Sequence, residues 1–127
     1  MNKAREICPC GSGRGYDQCC GQWHRGRPAP DPESLMRSRY TAYALGLGPY
    51  ILDTWHPSTR PGSLESETQP RPQWIGLQVL SAHQAGEAGS VEFVARFRVN
   101  GRAHKLHESS RFRREDGRWY YLDGEHP

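Results

Sequence analysis

The chain has 127 residues, of which 35% are hydrophobic and 24% are charged, and its formal net charge is +3. This length suits one compact domain with a small appendage, and the sequence contains no run of about 18 apolar residues that would form a transmembrane helix. The small positive charge is too weak to indicate nucleic-acid binding by itself. The polar N-terminus gives no export signal, so we expect a cytoplasmic protein that does not contact a membrane.

All four cysteines lie in one short N-terminal window, as Cys8-Pro9-Cys10 followed by Cys19-Cys20. Disulfides within so short a segment would be strained, and a reducing compartment keeps thiols free. Four closely spaced sulfur ligands are typical of a tetrahedral Zn²⁺ site, which is closed and therefore structural or recruiting rather than catalytic. His24 is an alternative ligand in place of Cys19 or Cys20. Free structural cysteines, an oxidised cluster and an iron–sulfur site are the other interpretations.

The zinc segment is expected to contain a flexible loop at Gly11-Ser12-Gly13 and one helical turn that begins at Tyr16 and Asp17. Its folding should depend on the metal. We therefore expect that chelation disorders roughly the first two dozen residues and leaves the rest of the chain folded.

Two helices are predicted after a linker rich in proline and arginine over residues 25–32. Asp31 is a suitable N-cap residue, with Pro32 at the first helical position. An apolar stripe at helical spacing follows it, and Gly46 and Gly48 end the helix. The stripe consists of Met36, Tyr40, Tyr43, Ala44 and Leu47. A shorter helix begins at Pro49 and ends before His56-Pro57, and residues 58–72 are predicted to form a long loop with one turn around Leu64.

The second half of the chain is predicted to form strands. Residues 74–82 form one strand and residues 86–89 a loop, after which residues 91–99 alternate between apolar and polar side chains. Asn100-Gly101 is a strong hairpin signal. Residues 104–114, a tight turn at Asp116-Gly117 and residues 119–122 complete the series. Helices followed by an antiparallel meander indicate an α+β fold.

Several of these motifs resemble known families. Cys8-Pro9-Cys10-Gly11-Ser12-Gly13 with Cys19-Cys20-Gly21 resembles the SEC-C motif, a zinc module also found at the C-terminus of the SecA translocation ATPase. The later segments Arg37–Tyr43, Thr54–Pro57 and Trp119–Gly124 resemble the YchJ family of bacterial proteins. The resemblance implies Zn²⁺ bound by Cys8, Cys10, Cys19 and Cys20. It also implies a SEC-C segment over residues 1–27 and an NTF2-like (SnoaL-like) cone over residues 28–127, in which the helices cover the concave face of a curved antiparallel sheet.

A pocket inside this cone is predicted from the strand over residues 104–114. Leu106 and Phe112 indicate that its inward face also carries Glu108 and Ser110, and a half-buried carboxylate needs a partner or a raised pKa. The helices offer candidates that could meet it and complete a site with acid–base capability: Arg39, Tyr40, Tyr43, Trp55 and His56. The alternative is that a Glu–Arg pair only locks helix to sheet, and that the tryptophans are core residues.

Three functions are compatible with this sequence. We expect first a binding or adaptor protein whose zinc segment contacts a protein partner, which by resemblance to SecA would be related to translocation or translation. The first alternative is a small-molecule binder or enzyme that uses Glu108 and His56 in the pocket. The second is an RNA- or ribosome-associated protein that uses a face of arginines including Arg96, Arg98, Arg111 and Arg113. The sequence contains no Ser-His-Asp order, P-loop or dinucleotide fingerprint.

Overall fold

The structure is a computed structural model, and it describes residues 6–64 and 72–127. A 3₁₀ turn at Tyr16–Gln18 leads into helix α1 (Cys20–His24), which is followed by α2 (Pro32–Leu45) and α3 (Gly48–Asp53). Four strands complete the chain: β1 (Gln73–Ala85), β2 (Ala88–Val99), β3 (Arg102–Glu115) and β4 (Arg118–Glu125). The predicted α+β class is confirmed. No helix in the described ranges is both long and apolar enough to cross a bilayer.

The helix boundaries follow from the residues that cap them. The Asp31 side chain accepts a hydrogen bond from the Ser34 amide and caps α2, with Pro32 at its first position as predicted. Gly46 adopts a left-handed conformation with φ of 76° and ends the helix. Leu47 therefore lies outside α2 and precedes α3. Residues 65–71 of the predicted long loop lie outside the described residues.

The strands form one antiparallel sheet in the order β1-β2-β3-β4. Asn100-Gly101 and Asp116-Gly117 form the two hairpin turns as predicted, with positive φ at all four residues. The predicted loop at residues 86–89 is shorter than expected, because Ala88 and Gly89 already pair in the sheet. Register shifts interrupt the β1–β2 and β3–β4 pairings. Such irregularities increase local twist and accompany the curvature of the sheet.

The core lies between α2 and the concave face of the sheet, and it extends without a break to the four cysteines. Leu35 and Met36 from α2 belong to the same buried cluster as Val91 and Phe112 from the sheet. Ser38 and Thr41 on α2 are also fully buried. The apolar stripe alone does not predict their burial, which arises because the cysteine-containing segment and α3 cover other faces of this helix. A smaller cluster of Ala42, Ile51 and Leu64 packs α3 against α2.

Candidate functional site

The four cysteines converge on one buried point. Cys8 and Cys10 lie on a tight loop, Cys19 follows the 3₁₀ turn, and Cys20 begins α1. Each side chain is at most 3% exposed. The four Sγ atoms lie within 4.8 Å of one another, and none is joined in a disulfide. The structure therefore brings together all four residues that were predicted to bind metal.

Two glycines shape the loop that follows the first cysteine pair. Gly11 and Gly13 have φ of 82° and 84°, a conformation that residues with a side chain rarely adopt. The Cys8 amide donates to the Arg14 carbonyl at 2.8 Å and closes the loop. The Gly-Ser-Gly segment therefore forms a loop at the predicted place, in a backbone conformation that its glycines allow.

The arrangement fits a tetrahedral metal ion. A Zn–S bond of about 2.3 Å places the sulfurs of a tetrahedron about 3.8 Å apart, and the Cys10 and Cys19 Sγ atoms lie 3.6 Å apart. Among the described residues, these four cysteines form a group that could hold a metal ion. Four protein ligands leave no open coordination position for a substrate. The four cysteines could therefore hold one metal ion in a closed site.

Two hydroxyl groups support the sulfurs. Ser12 Oγ lies 3.1 Å from Cys19 Sγ, and Thr41 Oγ1 donates to Cys20 Sγ at 3.3 Å. Thr41 also lies 3.7 Å from Cys8 Sγ. Sequence reasoning missed Thr41, because it comes from α2, which is distant in the chain from the cysteines. Outer-sphere donors of this kind orient metal ligands and tune their affinity.

The thiols differ in acidity when they carry no metal. The pKa of Cys10 lies far below its ordinary value, because the Cys20 and Cys8 thiols donate hydrogen bonds to its thiolate. The same bonds to Cys10 raise the pKa of Cys20 and of Cys8, and burial raises both further. Metal binding must therefore displace protons from this cluster.

His24 is not part of the metal centre, so its predicted role as an alternative ligand is wrong. Its Nε2 donates to the Ser38 carbonyl at 2.8 Å, and its Nδ1 accepts from the Tyr16 hydroxyl at 2.6 Å. Both ring nitrogens are thus engaged, Nε2 with α2 and Nδ1 with the 3₁₀ turn. Burial lowers the pKa of this imidazole.

The N-terminal segment that carries the cysteines is joined to α2 at several points. Arg37 donates from Nη1 to the Cys10 carbonyl at 2.8 Å, and Thr41 contacts Cys20 from the same helix. The four cysteines also belong to the main core cluster. This packing therefore does not support the expectation that the segment folds independently of the rest of the chain.

A second candidate site is a cavity of about 290 Å³ between the helices and the sheet. Six of the seven predicted pocket residues line it, namely Arg39, Tyr40, Tyr43, Trp55, Glu108 and Ser110. The remaining walls are apolar or aromatic and come from every part of the domain: Met36, Trp74, Phe93, Ala95, Leu106, Phe112 and Tyr121. Aromatic walls with a few polar groups are typical of small-molecule sites.

His56 does not line this cavity, contrary to the prediction. Backbone hydrogen bonds from the His56 amide to Tyr121 and from the Tyr121 amide to Thr54 hold this segment in an extended conformation beside β4. Successive side chains of an extended segment point to opposite sides. Trp55 therefore lines the cavity, whereas His56 Nε2 lies 3.0 Å from Glu115 Oε1 and lowers the pKa of that carboxyl.

The predicted Arg39–Glu108 pair is also absent, because each group has other partners. Arg39 Nη1 donates to the Ile51 carbonyl and to Thr54 Oγ1, both at 2.7 Å. Glu108 Oε2 accepts from the Ser110 hydroxyl at 2.5 Å. The two charges face the same cavity without meeting.

Tyr121 is a pocket residue that sequence reasoning missed. Its ring lies 4.6 Å from the Arg39 guanidinium carbon, and its hydroxyl donates to Glu108 at 3.4 Å. Burial raises the pKa of this phenol. A signal was present, since Tyr121 follows the buried Trp119 at the two-residue spacing of one strand face.

The arginine face is divided. Arg96 and Arg98 share the outer face of the sheet with Arg111 and Arg113, but Arg96 pairs across the strands with Lys105 and Arg111 with Ser90. Nearby carboxylates engage Arg111, Arg113 and Arg114. Within the described residues, the arginines that lie near the Asn100-Gly101 turn have no acidic partner.

Comparisons with known proteins agree with this architecture. A family model described as YchJ, middle NTF2-like domain, matches residues 31–124, and a SEC-C motif model matches residues 5–22. A UPF0225 protein of Bordetella parapertussis is 52% identical over 123 residues, which covers 94% of this chain and 92% of the relative.

Two solved structures share the fold. The solution structure of a SEC-C motif containing protein from Rhodopseudomonas palustris is 42% identical, has a TM-score of 0.86 and is matched over 96% of this chain and 99% of its own. The crystal structure of a SEC-C motif containing protein from Psychrobacter arcticus is 26% identical, has a TM-score of 0.77 and is matched over 97% and 84%. The predicted NTF2-like cone is thereby confirmed.

Proposed function

This chain belongs to the UPF0225 family, in which a SEC-C motif precedes a YchJ-type NTF2-like domain, and on that premise we propose that it is a small-molecule-binding protein with a structural zinc ion. In this proposal residues 1–27 form the zinc segment and residues 28–127 the ligand-binding domain, and the thiolates require a reducing compartment such as the cytoplasm.

Zinc is the metal that best suits this donor set. Four thiolates in a closed, buried cluster fit tetrahedral Zn²⁺, which supplies cross-linking of the segment and no redox chemistry. Elemental analysis of the purified protein should give one zinc per chain, and Cys8→Ser should lower that content strongly. A coloured protein with iron in place of zinc would contradict the assignment.

The observation that supports ligand binding is the buried guanidinium of Arg39 in a cavity whose walls are mostly aromatic and apolar. Arg39 is only 6% exposed, and no carboxylate oxygen of the described residues lies within 4.0 Å of its guanidinium nitrogens. A buried charge without a counter-charge is costly. A ligand bound in the cavity would supply the missing counter-charge, which would explain why this charge is buried there.

Filling the cavity tests this proposal. Leu106→Trp places a large ring against a cavity wall, and Leu80→Trp is the matched control because Leu80 is 46% exposed and does not line the cavity. With indole as a neutral probe, chemical-shift changes in nuclear magnetic resonance spectra should cluster at the cavity in the wild type and in the control. They should be lost in Leu106→Trp. Equal binding by both variants would contradict the proposal.

A second candidate function is contact with a protein partner through the zinc segment. Ile7 is 64% exposed next to Cys8, and its backbone forms a bridge with Gly15, so a large apolar side chain stands on the surface of the metal loop. Ile7→Glu should abolish a contact made there. Ile75→Glu, at a residue that is 42% exposed on β1, is the matched control. A partner captured from extract that is lost equally with both variants would contradict this candidate.

A further inference from the structure

The Arg39 guanidinium retains unused hydrogen-bonding capacity. Both of its described bonds are made by Nη1, to Ile51 and Thr54. Within the described residues, Nε and Nη2 have no partner, while the Trp55 and Tyr121 rings lie 5.1 Å and 4.6 Å from its central carbon. The Nε–Nη2 edge of arginine is one that binds a carboxylate through two parallel hydrogen bonds.

A second unpartnered donor adjoins this group. The indole N–H of Trp55 is buried and has no hydrogen-bond partner within the parts of the chain that the structure describes. A buried N–H without an acceptor is unfavourable, but this one is covered by protein atoms and is not open to a ligand in the cavity. The Nε–Nη2 edge of Arg39 is therefore the donor at this end of the cavity, and it favours an acceptor that carries negative charge.

The other end of the cavity has the opposite character. Glu108 receives both of its described hydrogen bonds, from Ser110 and from Tyr121, on Oε2. Its Oε1 has no described partner and can accept a further hydrogen bond. Tyr121 separates the two ends, since its ring contacts Arg39 and its hydroxyl contacts Glu108.

The space between these ends is aromatic and small. Tyr40 packs edge-on against Trp74 at 5.7 Å between ring centroids, and Phe112 packs likewise against Tyr121 at 5.8 Å. A volume of about 290 Å³ lies at the lower end of the ~300–1,000 Å³ typical of ligand pockets. Such walls favour a single flat ring, which can pack in edge-to-face or offset geometry.

We propose that the cavity binds a small aromatic monocarboxylate, with its carboxylate on Arg39 and a ring hydroxyl or amino group donating to Glu108. This inference rests on the proposed function and specifies its ligand class. The carboxylate supplies the negative charge that Arg39 lacks. The donor on the ring can form a hydrogen bond with Glu108. Without such a donor, the ligand carboxylate and the Glu108 carboxylate would only repel each other.

Three single-ring probes separate these contributions: 4-hydroxybenzoate, benzoate and 4-hydroxybenzamide. Since a hydrogen bond to a charged group is worth about 1.5–3 kcal/mol, replacing the carboxylate by the amide should weaken binding about 10- to 100-fold. Titration calorimetry, with chemical shifts to locate the site, measures the dissociation constants. Arg39→Met should remove the preference for carboxylate over amide.

A charge-removing variant keeps the test decisive if Arg39→Met fails to fold. Glu108→Gln should tighten benzoate, because it removes a like charge, and should reduce the advantage of 4-hydroxybenzoate over benzoate. Glu92→Gln is the control, because Glu92 pairs with His107 away from the cavity lining. Equal affinity for carboxylate and amide, with indole still bound, would overturn the ligand class and leave the proposed function standing. If neither the probes nor indole bind, both fail.

Discussion

The hydroxyl group of Thr41 allows the outer sphere of the metal centre to be tested with a change of one functional group. Thr41 is 0% exposed, and its Oγ1 donates to Cys20 Sγ at 3.3 Å. Thr41→Val keeps the branched shape of the side chain and removes only the hydrogen bond. The Cys20 thiolate then loses a donor in a place where water cannot replace it, so the variant should bind Zn²⁺ more weakly.

The magnitude follows from the kind of bond that is lost. A hydrogen bond to a charged acceptor contributes about 1.5–3 kcal/mol, and outer-sphere substitutions at metal sites typically cost about 10- to 100-fold in affinity. Competition with a chromophoric chelator at fixed pH measures this change. Ser38→Ala is the matched control, because the Ser38 hydroxyl is equally buried on α2 but bonds to Leu35 and Tyr50 instead of sulfur. An affinity of folded Thr41→Val within about twofold of the wild type would refute the reasoning, as would an equal loss in Ser38→Ala.

Three further predictions follow from the packing. Chelating the metal under reducing conditions should lower the melting temperature of the whole chain in one transition, because the cysteines belong to the main core; a sheet that melts unchanged would contradict this. Burial lowers the pKa of His24, so the folded protein takes up a proton less readily than the unfolded chain and should lose stability as the pH falls below about 6.5. His24→Gln should flatten that part of the pH profile of the melting temperature, and an unchanged profile would count against it. Gly124→Ala would place a methyl group against the Glu108 carboxylate, so it should displace that group and weaken binding of 4-hydroxybenzoate in calorimetry, whereas unaltered affinity would argue against a fixed Glu108.

Local chemistry in the sequence determined the elements of this fold. Asp31 with Pro32 begins α2, and Gly46 ends it, because capping and backbone conformation depend on adjacent residues. The same is true of the Asn100-Gly101 turn and of the alternation that places Glu108 and Ser110 on the inner face of β3. The cysteine spacing likewise predicted a cluster that the structure confirms.

The partners of these groups were decided only by the tertiary structure. Thr41 reaches Cys20 because α2 packs across the cysteine-containing segment, and no local pattern relates two residues 21 positions apart. Arg39 and Glu108 were correctly placed beside one cavity, but the Ile51 carbonyl and the Ser110 hydroxyl were nearer partners for them. A sequence specifies which side of a helix or strand a residue occupies. Which atom it meets there depends on how the elements pack.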